Sequence, residues 1–379
     1  MKILGYISGF DGCGLFRLQM PFKYLNKQPD TMAKISFKYD KGDIEWADLI
    51  VVQKQYQDAV VPYVDMAQSL GKPVVMEFDD LMTDIPDWNM ASGFYKNKVD
   101  KIVNFIQRCN ACTVSTEYLK KVNLGINPNI HVLPNSIDIE QFESFRNVDL
   151  ERIKKLIHFK NPYQIATRSK QVDTLPFEET MAKLRGRTKL IWWGSPTHRQ
   201  DLNIVDKTIA LLAHDNKNLA VVKVGSCTPE FLEFMKPYCD QLFMVEPIPV
   251  HNFHMALWHI MNTGPTISLC PIVDLPFNRA KSNLKSIESF AFKAAVVASK
   301  VENYARTITD GLDGFLADNA TNSDGIAEDW YAKIQRLVNN TSLIQTIGEN
   351  GYLTVTNTYN ISKNVQMWAD TYAAILGRI

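Results

Sequence analysis

The sequence lacks any apolar run approaching the ~18 residues that a membrane-spanning helix needs. It also lacks net charge: Lys plus Arg total 41 and Asp plus Glu total 41 in 379 residues, and the balance holds in each half. A domain-wide basic clamp for nucleic acid and an acidic tail are therefore excluded, although a local basic groove is not. Cysteine is sparse. Cys13, Cys109, Cys112, Cys227, Cys239 and Cys270 are scattered along the chain, which suits reduced thiols better than a disulfide framework. Cys109 and Cys112 form a C-x-x-C but have no second pair or histidines at ligand spacing nearby, so they read as a helix end feeding a buried strand. No G-x-x-x-x-G-K-[ST], G-x-S-x-G or H-E-x-x-H occurs, which removes the P-loop and α/β-hydrolase readings and leaves no metal motif. His251, His254 and His259 share a helical stretch with Phe253, Leu257 and Trp258 and read as packing. The opening MKILGYISGFDGCG is broken by Gly and Asp before a signal-peptide core can form. The expected location is the cytoplasm, free or peripheral at a membrane, with no transmembrane segment.

What the sequence does have is alternation. Short apolar runs at 2–8, 33–37, 47–53, 72–78, 111–115 and 130–134 alternate with amphipathic stretches, and a second series follows at 189–194, 219–225, 241–246, 266–271, 294–299 and 314–318. That is the pattern of parallel α/β units. Residues 138–187 are polar and show no convincing buried strand, so they are expected to be a helical and loop connection. After Asn319 the chain reads as helical to its end, including 362–377. The fold class is therefore α/β, with two doubly wound Rossmann-like domains facing a central cleft. The expected domains are 1–180, 181–358 and a terminal segment 359–379.

Four clusters could carry chemistry. After the first strand, Gly9, Gly12 and Gly14 let the backbone approach a ligand, although Arg17 stands where a dinucleotide fingerprint needs its last glycine. Asp79 and Asp80 end a strand, where α/β proteins bind ligands. Gly194 and Ser195 end another and lead into His198 and Arg199; backbone amides with a guanidinium suit a phosphate. Lastly, Arg279, Lys281 and Lys285 surround Ser282 and Asn283 at a helix start, with Glu288 one turn on. Cations with free helix amides suit a diphosphate, and the carboxylate suits a ribose diol.

Together the blocks GCGLFRLQMP (12–21), KPVVMEFDDL (72–81), CTVSTEYLKK (112–121), HVLPNSID (131–138), WWGSPTHRQDL (192–202), NRAKSNLKSIESFAFKAAVVAS (278–299) and DGLDGFLADN (310–319) resemble the GT-B glycosyltransferases of group 1, whose characterised members mostly retain anomeric configuration. The resemblance covers nearly the whole chain. It implies a nucleotide sugar in the C-terminal domain and a final helix crossing back to the N-terminal one. Glu288 then matches the ribose glutamate, Arg199 with Lys281 or Lys285 the diphosphate pair, and the amides of Asn283 and Leu284 the helix start on the distal phosphate. Gly12 and Gly14, and Gly194 and Ser195, fall in the glycine loops around the donor. Two departures stand out: Ala280 replaces the first glutamate of the E-x7-E motif, and Asp79 falls where many members carry an acceptor-side histidine.

The resemblance implies transfer of a sugar from a nucleoside diphosphate, a UDP-sugar by preference, to a hydroxyl of a polysaccharide, lipid-linked glycan or other glycoconjugate. Asp79, Asp80, Arg199 and Lys285 are the expected catalytic residues. The donor set is Gly12, Gly14, Gly194, Ser195, Arg199, Lys281, Ser282, Asn283, Leu284, Lys285 and Glu288, and neither a metal nor a cofactor is expected. A hydroxylated base of modified DNA is the alternative acceptor. A sugar-nucleotide epimerase and an inactive nucleotide-sugar-binding subunit are the rival functions.

Overall fold

A computed structural model describes residues 1–377, with the side chain of Arg199 outside the description. The chain divides into two units: Met1–Asp138 with Pro276–Leu284 and Thr358–Ile379, and Ile139–Leu275 with Lys285–Asn357. In the first, β1 (Lys2–Tyr6), β2 (Met32–Ser36), β3 (Leu49–Gln53), β4 (Val74–Phe78), β5 (Ala111–Val114) and β6 (Ile130–Val132) form a parallel sheet in the order β2-β1-β3-β4-β5-β6. Every residue of β3, β4 and β5 is buried, as expected where helices cover both faces of a parallel sheet and the strands become continuous apolar runs. The terminal helix Ile361–Ile375 is capped by Asn360 and buries Ile361, Val365, Trp368 and Tyr372 along one stripe. That stripe packs on the helix Met20–Leu25, so the end of the chain belongs to the first unit.

Beneath that helix lies an ion pair sealed from water. Arg17 and Glu77 are both fully buried, and Arg17 Nε donates to Glu77 Oε1 at 2.6 Å. Arg17 Nη1 donates to Asn135 Oδ1 at 2.8 Å and to the Leu133 carbonyl, while Thr113 Oγ1 donates to Glu77 Oε2. Trp368 lies over the guanidinium, 5.0 Å from it. Burial pushes the Glu77 carboxyl above its usual range, against the pull of Arg17. Arg17 thus serves the interior of the unit and not a ligand.

The second unit carries β7 (Phe159–Lys160), β8 (Thr174–Leu175), β9 (Thr188–Gly194), β10 (Leu219–Gly225), β11 (Leu242–Val245), β12 (Thr266–Cys270), β13 (Ala295–Ser299) and β14 (Phe315–Ala317). Their order is β14-β13-β12-β9-β10-β11-β7-β8. From β14 to β11 the pairing is parallel; β7 and β8 extend the edge antiparallel. Those two strands lie in the stretch expected to hold no buried strand. At two residues each they are too short to leave a periodic signature.

One buried charge in this sheet, that of Lys189, has no counter-ion among the described residues. Lys189 in β9 is fully buried; its Nζ reaches only the Arg187 carbonyl, at 3.5 Å, and no carboxylate pairs with it among the described residues. Burial pushes its ammonium down to about 7. From pH 7 to 10.5 the unfolded chain holds a proton that the folded chain has released, so stability rises across this window and the penalty is complete below it.

Two outcomes follow from these buried charges. Arg17→Met is expected to lose about 3–5 kcal/mol in urea unfolding by stranding Glu77, and Arg17→Met with Glu77→Leu to recover most of it. Lys189→Met is expected to stabilise by about 2–4 kcal/mol at pH 7. That gain should fade toward pH 10.5 in thermal melts, whereas a pH-independent gain would assign it to packing.

Candidate functional site

In the second unit, the C-terminal edge of the sheet is built around two adjacent glycines. Gly194 ends β9 beside Gly225, which ends β10 at φ +83. A Cβ on Gly225 would sit 2.7 Å from the Gly194 carbonyl, and one on Gly194 would sit 2.5 Å from the Trp192 ring. Larger residues are excluded at both positions. The backbone amide of Ser226 donates to the Gly194 carbonyl at 3.2 Å, and the hydroxyls of Ser195 and Thr197 pair at 2.6 Å. His198 Nδ1 lies 2.9 Å from Oδ2 of buried Asp201, whose Oδ1 accepts from the Val273 amide. The helix Arg199–Leu202 begins here, but the predicted diphosphate contact of the Arg199 side chain lies outside the described residues.

Trp192 gathers cations. The ammonium of Lys223 stands 3.9 Å from its ring centroid and that of Lys285 stands 4.9 Å away. Lys285 lies in the first turn of the helix Leu284–Ala291, and Glu288 lies one turn on. The Glu288 side chain is 8% exposed, and its Oε1 accepts from His254 Nε2 at 2.6 Å. His254 was expected to pack, and its ring does lie near Phe142, Phe253 and Phe292. It is also the partner of Glu288, a role hidden from local spacing by 34 residues of separation.

The segment Pro276–Leu284 groups with the first unit. Thr116 Oγ1 donates to the Ala280 carbonyl at 3.0 Å, and Asn135 Nδ2 donates to Ser282 Oγ at 2.9 Å. Ala280 is fully buried. A glutamate there would need a buried partner. The Lys281 ammonium lies 4.9 Å from the Phe277 ring, Asn283 is buried, and Leu284 opens the following helix.

At the C-terminal edge of the first sheet, Asp11 caps the glycine turn by accepting from the Gly14 amide at 2.8 Å. A Cβ on Gly14 would meet the Gly9 carbonyl at 2.2 Å, while one on Gly12 would meet nothing within 4 Å. Gly14 is therefore required by the turn itself, whereas Gly12 borders open space. A π-helical turn, Leu15–Gln19, follows.

Asp79 and Asp80 share one cation that no local motif marks. Lys54, just beyond β3 at φ +49, places its ammonium 2.5 Å from Asp79 Oδ1, 2.6 Å from Asp80 Oδ2 and 3.1 Å from Cys13 Sγ. Burial pulls this ammonium down, but the two carboxylates outweigh it and hold it well above its ordinary range. Next to it, Gln53 Nε2 donates to the Cys13 carbonyl at 2.9 Å and so ties β3 to the glycine turn. Cys13, Asp79 and Asp80 offer ligand atoms within 4.8 Å of one another. Lys54 already touches all three, and burial, then Asp79, pushes the Cys13 thiol well up, away from the thiolate a metal would want.

The same architecture recurs in solved structures. HepE of Anabaena with UDP and glucose is similar at 14% identity, covering 99% of this chain and 100% of that one, with a TM-score of 0.62. A glycosyltransferase of Rickettsia africae matches at 15% identity, 100% and 99% coverage and TM-score 0.61. Sucrose-phosphate synthase of Thermosynechococcus elongatus matches at 12% identity, full coverage of both chains and TM-score 0.62. The chain has the GT-B fold. No family model and no curated protein sequence matches it. Within the GT-B framework, Gly194 ends a strand of one sheet and Ser195 follows it, while Asp79, Asp80 and the Gly12–Gly14 turn follow strands of the other.

If Lys54 supplies the positive charge of the Cys13–Asp79–Asp80 group, Lys54→Ala should create a vacancy for a cation. Millimolar Mn²⁺ is expected to raise the melting temperature of Lys54→Ala while leaving the wild type unmoved. Equal responses would show that the lysine does not stand in for a metal.

Proposed function

We propose that the chain is a glycosyltransferase that moves a sugar from a UDP-sugar to an acceptor hydroxyl of a polysaccharide or other glycoconjugate, without a metal. The observation that carries this reading is Glu288, held by His254 through one oxygen on the helix whose first turn carries Lys285, in a fold matching end to end a protein solved with UDP-glucose. In the reaction the bond from the anomeric carbon to the diphosphate oxygen breaks, and one from that carbon to the acceptor oxygen forms. UDP departs, and the acceptor proton is released.

Most of the work is stabilising charge that grows on the leaving diphosphate. Arg199, Lys285 or Lys281, and the amides of Asn283 and Leu284 are assigned to that task, with Glu288 on the ribose. Ser282 and the glycine edges at Gly12, Gly14, Gly194 and Ser195 complete the donor contacts. Asp79 and Asp80 are assigned to the acceptor. The Lys285 ammonium stands over the face of Trp192 at the sheet edge that Gly194 ends, an attraction of cation to ring quadrupole.

The reading is tested by titration calorimetry with UDP and by mass spectrometry of products from a panel of UDP-sugars. Glu288→Ala and Lys285→Ala are each expected to weaken UDP by about tenfold or more. Unchanged affinity in both would remove the donor assignment.

A further inference from the structure

We infer that His254 is a positioning residue that fixes Glu288 for recognition of the donor's ribose hydroxyls, an inference that rests on the donor reading above. A glutamate on a helix has rotatable bonds to freeze before it can read a diol, and freezing them on binding would cost affinity. Here they are held in advance. Glu288 Oε1 is occupied by His254 Nε2 at 2.6 Å, and no described residue takes Oε2. Because a carboxylate only accepts, Nε2 carries the proton of the pair. The imidazole is itself held: His254 is buried on the helix Val250–Met261, with ring centroids of Phe142 at 5.0 Å, Phe253 at 5.4 Å and Phe292 at 6.3 Å.

These contacts come from three different stretches of the second unit, and they leave the imidazole little room to turn away. One carboxylate oxygen is thereby anchored and the other presented. A vicinal diol, with two O–H donors close together, is the group that such a half-occupied carboxylate is suited to take. The prediction concerns specificity more than affinity. Losing the anchor should cost the ribose-dependent part of binding and spare the part due to the diphosphate.

The experiment compares UDP with 2′-deoxy-UDP by calorimetry on the full chain. The wild type is expected to prefer UDP by about tenfold, and Glu288→Ala to lose that preference. His254→Leu should also bring the preference to about twofold or less while keeping its affinity for 2′-deoxy-UDP, which also reports that the variant is folded. In His254→Gln the amide Nε2–H can replace the imidazole donor, so the preference should return in large part. If Glu288→Ala loses the preference but His254→Leu keeps it, the role of His254 is overturned and the donor reading stands. If His254→Gln behaves like His254→Leu, the hydrogen bond is not what matters, and the inference is also overturned. A wild type that binds neither nucleotide, or does not distinguish them, overturns the donor reading itself.

Discussion

The first unit depends on taking one arginine out of water. Arg17 and Glu77 are fully buried, and their desolvation has to be offset by contacts from distant parts of the chain. Those contacts come from Thr113 at β5, Leu133 and Asn135 beyond β6, and Trp368 on the terminal helix. Each segment supplies a different atom to the same pair, so none can shift alone without leaving a buried charge under-coordinated. An apolar pair of similar volume could pack as stably, but it would demand less of its surroundings. The ion pair ties together the Leu15–Gln19 turn, β4, β5, the chain just beyond β6 and the final helix.

That constraint extends to residues of chemical interest. Asn135 accepts from Arg17 through Oδ1 and donates to Ser282 through Nδ2, so one amide connects the buried pair to the segment Pro276–Leu284. Thr116 secures the same segment at the Ala280 carbonyl while its hydroxyl also caps the helix Glu117–Asn123. Across the sheet, Gln53 and Lys54 perform a similar service for the glycine turn and the two aspartates. Residues with plain structural duties therefore set where Ser282, Asp79 and Asp80 can be.

The strands were legible because burial on both faces of a parallel sheet writes itself as an apolar run, and β9 and β10 match the runs at 189–194 and 219–225 closely. The two-residue strands β7 and β8 were not, since a ladder that short is decided by its partner β11. Lys285 and Glu288 were legible because they share one helix and one local motif. Lys54, Trp192 and His254 acquire their roles from residues far away in sequence, so local spacing could not mark them. Arg17 was conspicuous for its place after the glycine turn, yet packing turned it inward. Pattern reading finds groups that act together on one element, and it misses groups assembled from several.

Charge shows the same limit from another side. A net charge of zero sums lysines in very different states. The Lys54 charge is used up between Asp79 and Asp80, whereas Lys189 is buried with no counter-ion among the described residues, and burial pushes its ammonium down to about 7. Lys223 and Lys285 rest on the face of Trp192. Trp192 also fills the space that Gly194 leaves open, so one side chain both shapes the glycine edge and sets cations beside it. Composition could exclude a domain-wide polyanion surface, but the local field depends on which partner each lysine has, and the fold supplies those partners.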